Sequence, residues 1–134
     1  MSREIKFRAW DPKTEAQIDD KYLAMRLATG ALVYASDAAE FGWYDDTDYV
    51  LEQFTGLHDK NGVEIYEGDI VIERGRDGRG IPRTVVYEDG MYWLRGPNHT
   101  GRVHSIALGG SLADERQARS EVIGNIHENP DLLA

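Results

Sequence analysis

The sequence has no cysteine, only four prolines, and no apolar run near the roughly 20 residues needed to cross a bilayer. The missing cysteines exclude a disulfide framework, cysteine-based zinc sites and a thiol nucleophile, and they suit a reducing compartment. The start, Met1-Ser2-Arg3-Glu4-Ile5-Lys6, lacks the apolar stretch of a secretory signal, so the expected location is the cytoplasm, with no membrane partner. Positive charge is scarce as well: 15 lysines and arginines face 24 acids, a net −9 that repels phosphate backbones and anionic membranes at long range. A nucleic-acid role would have to rest on a local patch. What is present is a globular composition, 41% hydrophobic over 134 residues, enough for one domain and hardly for two independent cores. At this length about two-thirds of the extended chain's surface is buried on folding, so neither disulfide nor structural metal is required.

Ile5, Phe7 and Ala9 alternate with Lys6 and Arg8, the period of a half-buried strand, which is expected to stop at Trp10-Asp11-Pro12. The stretch 14–28 fits two readings. Ile18, Tyr22 and Met25 share a helical face, while Tyr22 to Leu27 also pairs well with Ala31 to Tyr34 across Thr29-Gly30; the hairpin is preferred. From Ser36 to Asp48, acids surround Phe41, Trp43 and Tyr44, and a polar connection is expected. Strand signals then follow closely: Tyr49 to Thr55, Val63 to Tyr66 after the tight-turn pair Asn61-Gly62, and Asp69 to Glu73 after Glu67-Gly68. Arg74 to Pro82 is glycine-rich and reads as a mobile loop. Arg83 to Tyr87 and Met91 to Arg95 flank Glu88-Asp89-Gly90 as a hairpin, since Asp-Gly tolerates the positive φ that such turns need. Val103 to Leu108 and Glu121 to His127 complete the strands, and Leu112 to Arg119 is short helix material. Many short strands with close turns predict a mainly β protein, a small antiparallel barrel with an N-terminal β extension and at most one short helix.

Three segments carry a resemblance: Arg3 to Asp11 (REIKFRAWD), Gln53 to Val71 (QFTGLHDKNGVEIYEGDIV) and Val122 to Pro130 (VIGNIHENP). Together, in this order, they resemble the YopX-like family of phage and prophage proteins. The stretches 12–49 and 74–121 carry no such match. The resemblance implies a mostly β fold with an SH3-like barrel element, a phage or prophage origin and self-assembly. It brings no catalytic motif. One YopX-like domain is expected over 1–134, with 1–48 as an N-terminal β segment and 49–134, where the strand signals become frequent, as the barrel-like part.

The central motif has a physical reading of its own. Asn61-Gly62 makes a turn, Gly56 and Gly68 give backbone freedom, and Thr55, Tyr66 and Asp69 suit side-chain to backbone hydrogen bonds, so these residues are expected to define a fold element. Four histidines, at 58, 99, 104 and 127, lack metal-binding spacing, and no metal or cofactor is expected. Asp19-Asp20 and Asp45-Asp46 have no calcium-loop spacing and read as solvated charge. His58-Asp59 beside Thr55 offers a base and an acid for a hydrolase, but adjacent side chains seldom converge and no oxyanion loop accompanies them. The chain is therefore expected not to be an enzyme.

One charge anomaly remains. From Arg74 to His104, six arginines (Arg74, Arg76, Arg79, Arg83, Arg95 and Arg102) face three acids, about +3 inside an acidic chain. Arg74, Arg76, Arg79 and Arg83 with Tyr92 and Trp93 are candidate contacts for an anionic ligand or partner, since guanidinium groups hold phosphates while rings stack on bases. Charge pairing within this acidic protein, or with a neighbouring subunit, also accounts for the arginines. The leading expectation is a binding or assembly module acting through protein contacts, as a homo-oligomer or with another protein. A nucleic-acid-binding module using the 74–83 loop is the alternative.

Overall fold

The computed structural model describes residues 4–18, 23–25, 32–35, 43–45, 49–97, 102–108 and 118–133. These residues are almost entirely strands and turns; the exception is a closing 3-10 turn, Pro130–Leu133. The sheets are antiparallel and curled and include a half-barrel, in keeping with the expected small barrel-like fold. The chain divides into two compact units, one of residues 6–52 and one of residues 1–5 with 53–134.

In the smaller unit, β1 (Phe7–Asp11) pairs with β2 (Ala16–Gln17), Trp10 opposite Gln17. The strand ends at Asp11, within the expected stop at Trp10-Asp11-Pro12. The Asp11 carboxylate then turns the chain by accepting bonds from the Lys13 N–H (2.9 Å) and the Thr14 hydroxyl (3.1 Å). β3 (Leu23–Met25) and β4 (Leu32–Ala35) pair with Ala24 opposite Val33, so the hairpin reading of this stretch holds over the described residues. The polar connection expected over 36–48 needs correction. Trp43–Asp45 is a strand, β5, pairing with β4, in line with the strand propensity of tryptophan and tyrosine.

β6 (Val50–His58) enters the larger unit at Gln53 and pairs with β7 (Glu64–Tyr66). Between Phe54 and His58 the register shifts, and there Gly56 takes φ +87°, a bulge conformation that a Cβ would strain. β8 (Asp69–Arg74), β9 (Gly80–Glu88), β10 (Met91–Pro97), β11 (Val103–Ala107) and β12 (Ser120–Asn125) form one five-stranded sheet in the order β11-β10-β9-β8-β12. Its core is the buried set Ile65, Val71, Val85, Leu94 and Leu108, with Leu57, Tyr92 and Val122 packed against it. β8 buries four successive residues, Asp69 to Ile72, so both its faces are internal.

Sequence spacing located most of these strands, and the β9–β10 hairpin follows it closely. Met91 opposes Glu88 across Asp89 (φ 52°) and Gly90 (φ 80°), the two positive angles of a type I′ turn. Gly90→Ala is expected to cost about 1 kcal/mol and Gly90→Asn less, because asparagine tolerates this region better; equal urea midpoints for the two would contradict the assignment. The glycine-rich stretch 74–82 is not a mobile loop throughout. Arg74 opposes Gly80 and Ile72 opposes Pro82, so its last three residues are already strand. The helix expected at Leu112 to Arg119 lies outside the described residues except for its last two positions, where Ala118 and Arg119 are in a turn.

Candidate functional site

The β8–β9 turn is closed by its own polar groups. The Gly75 N–H donates to the Arg79 carbonyl (2.8 Å), the Gly78 N–H to the Gly75 carbonyl (3.0 Å), and the Arg79 N–H to the Asp77 carboxylate (3.0 Å). Arg74 folds back over the turn, its Nη1 donating to the Gly78 carbonyl at 3.1 Å and its Nε 3.6 Å from Glu121. These bonds hold a glycine-rich segment in one conformation that composition alone reads as loose.

The closed turn forms one wall of a cleft of about 620 Å³, in the size range of small-molecule sites. Arg74, Arg79, Arg83 and Arg119 line it, with Glu73, Asp77, Ile81 and Ile106. Four guanidinium groups thus face two carboxylates, in a protein whose net charge is −9. Arg83 reaches the cleft from the interior of β9, opposite Val71, and is half-buried. Its Nε–H is buried and has no hydrogen-bond partner. Chemically, the arrangement can hold an oxyanion.

The aromatic candidates lie elsewhere. Tyr92 and Trp93 pair with Tyr87 and Val86 near the far end of β9, while the arginines gather at its Gly80 end; a strand of this length separates the two ends by roughly 25 Å. There Tyr87 and Tyr92 meet edge to face at 5.0 Å, the Trp93 indole N–H donates to the Glu88 carbonyl (2.9 Å), and Arg95 pairs with Glu88. Arg76 is exposed in the β8–β9 turn and does not line the cleft. The candidates proposed from sequence therefore separate into Arg74, Arg79 and Arg83 in the cleft, joined by Arg119, and Tyr92 with Trp93 at the opposite hairpin. Arg119 was missed because its place depends on β12 lying beside β8, which no local pattern announces.

The motif residues bond to the backbone around them. Thr55 donates its hydroxyl to the Ile65 carbonyl (2.7 Å) and accepts from the Leu57 N–H (3.1 Å), fastening the bulge. The Tyr66 N–H donates to the buried Asp69 carboxylate (2.8 Å), the Tyr66 ring packs on Phe54 at 5.5 Å, and the Gly68 N–H donates to the Val85 carbonyl. Asp59 is the hub: its carboxylate accepts from the N–H groups of Asn61 (2.8 Å), Val63 (2.9 Å) and Val122 (2.9 Å), while the Gly62 N–H meets its carbonyl. Burial by itself raises the Asp59 pKa, but these three N–H groups and Lys60 outweigh it and hold the carboxyl below its ordinary value. The His58 ring sits edge-on to Phe54 at 5.6 Å, while the Asp59 carboxylate faces the N–H groups of the turn. Among the described residues no three His, Asp or Glu side chains are grouped to hold a metal ion, and no helix is long and apolar enough to cross a membrane.

Comparison with curated proteins gives no match. Among solved structures, protein EF1440 from Enterococcus faecalis is 28% identical at a TM-score of 0.58, covering 99% of this chain and 100% of that one. Protein yopX from Bacillus subtilis is 20% identical at a TM-score of 0.63, covering 96% and 95%. The family model described as YopX protein matches residues 6–134, which include the bulge, the Asp59 turn and the closing strand, and the chain belongs to the YopX family.

Proposed function

We propose that the protein is a non-catalytic binding or assembly module that acts through protein contacts, with a second copy of this chain as its partner. The observation that carries this reading is the outer end of the β9–β10 hairpin. Tyr87 is 55% exposed and Met91 41%, beside the half-buried Tyr92 and Trp93. Tyrosine, tryptophan and methionine are the residues over-represented where protein surfaces meet. The rings are already fixed, by the Tyr87–Tyr92 contact and the indole bond to Glu88, so little side-chain freedom is lost on association. Arg95 neutralises Glu88 there, which lets two copies of an acidic chain meet hairpin to hairpin about a two-fold axis. The absent cysteines and the family suggest the setting: the cytoplasm of a bacterial host, as a phage or prophage product.

Sedimentation equilibrium tests the reading. The wild type is expected to show a mass above the 15.1 kDa of one chain that rises with concentration. The double substitution Tyr87→Glu, Met91→Glu is expected to remain at one chain's mass at every concentration. A monomeric wild type at every concentration would refute self-association.

A nucleic-acid-binding role has the gathered arginines in its favour, but the rings that would stack on bases sit on the opposite hairpin.

A further inference from the structure

We propose that the arginine cleft of the β8–β9 hairpin is a binding site for a compact phosphate monoester, held by Arg83 with Arg79 and Arg119. The site is distinct from the aromatic hairpin end and stands whether or not the protein self-associates.

Arg83 is the residue that marks it. A buried donor without a partner costs stability, and such groups are rare in folded proteins unless something else satisfies them. The Arg83 Nε–H is such a donor, on a side chain lining the cleft. The neighbouring strand makes room for it: a Cβ at Gly96 would lie 2.9 Å from the Arg83 Cγ and 3.2 Å from the Pro82 carbonyl oxygen, so glycine lets the arginine stem lie close over β10. Arg79 and Arg119 are exposed, and their side chains make no hydrogen bond or ion pair among the described residues. Arg74, by contrast, is engaged with Gly78 and Glu121 and shapes the wall.

Charge and size select the ligand. Four guanidinium groups against two carboxylates leave a local surplus of two positive charges. A phosphate monoester carries about −1.5 to −2 at neutral pH and offers three oxygens, enough to engage several arginines at once. A carboxylate supplies half that charge and fills a single guanidinium fork, and a tricarboxylate such as citrate spreads its charge over separate groups that do not gather on one point as the three oxygens of a phosphate do. Ile81 and Ile106 add apolar surface to the lining, suited to the organic part of a small ligand, and the cleft of about 620 Å³ has room for it. A long polyanion would extend beyond the local field, which is screened within about 8 Å at physiological salt, and meet the surrounding negative charge.

The test is calorimetric titration and thermal melting of the full chain with inorganic phosphate and with adenosine monophosphate, against sodium chloride and citrate at matched ionic strength. Both phosphates are expected to bind saturably and raise the melting temperature, while chloride does neither and citrate binds at least tenfold more weakly. Arg83→Met is expected to weaken phosphate binding at least tenfold while the free protein melts no lower than the wild type, because the substitution removes a buried unpaired donor and keeps the stem. Arg79→Ala and Arg119→Ala, at exposed positions, are expected to weaken binding several-fold with unchanged melting. No saturable response to either phosphate would overturn the proposal, and so would citrate binding as tightly as phosphate. Tighter binding of a mixed-sequence single-stranded oligonucleotide, weakened as much by Arg76→Ala as by Arg83→Met, would also overturn it in favour of an extended polyanion.

Discussion

Replacing Asp59 by alanine is expected to lower the stability of the folded chain by about 3–5 kcal/mol at neutral pH, since three backbone donors lose a charged acceptor. Asp59 is only 5% exposed, and its carboxylate ties Asn61 and Val63 in the turn to Val122 of the closing strand. Alanine leaves all three N–H groups without that acceptor. Asparagine keeps one acceptor oxygen and turns an amide donor towards the remaining partners, so Asp59→Asn is expected to cost roughly half as much. The pH dependence has a definite sign. The folded-state pKa lies below the ordinary value of 3.8, so the carboxylate's contribution is fully present above the unfolded pKa and is lost as pH falls through the folded one. Urea unfolding at pH 7 and pH 3 measures both parts. The deficit of Asp59→Asn relative to wild type should shrink in acid; a deficit unchanged by pH would show that charge at this position has no part in stability.

This aspartate also shows where sequence reading ran out. Its motif was legible: Asn61-Gly62 and Asp89-Gly90 announce turns because few residue pairs tolerate positive φ at low cost, and both turns lie where their dipeptides are. The partner of the Asp59 carboxylate was not legible. Val122 is 63 positions away, and the adjacent His58 drew attention to local chemistry instead. The β8–β9 turn was misread for a related reason. Glycine content reports the freedom of the unfolded chain, whereas the order of this turn comes from the Arg79 and Gly78 bonds and from the pairing of Arg74 with Gly80. The basic stretch is legible from charge alone. Its division into an arginine cleft and an aromatic end follows from β9 being nine residues long with a hairpin at each end, a fact of register and not of composition.

A second large effect is expected in the smaller unit, at Arg8. The alternation of Ile5, Phe7 and Ala9 with Lys6 and Arg8 assigns Arg8 to the solvent side of a strand, and nothing local marks Glu52 as special. In the structure the Arg8 Nε donates to a Glu52 carboxylate oxygen at 3.0 Å, and the Glu52 side chain is 4% exposed against 22% for Arg8. Removing one partner of a buried pair costs about 3–5 kcal/mol, and the residual exposure of Arg8 lets water recover part of this, so Arg8→Ala is expected to cost about 2–3 kcal/mol. The cost comes from leaving a buried carboxylate with less to balance its charge more than from losing an attraction. It follows that Arg8→Met combined with Glu52→Gln, which keeps both volumes and removes both charges, should recover most of the loss. Urea midpoints of the two single variants and the double variant form a closed cycle. A double variant less stable than either single one would show that the two side chains contribute independently, and that the 3.0 Å contact is not what holds Glu52 inside.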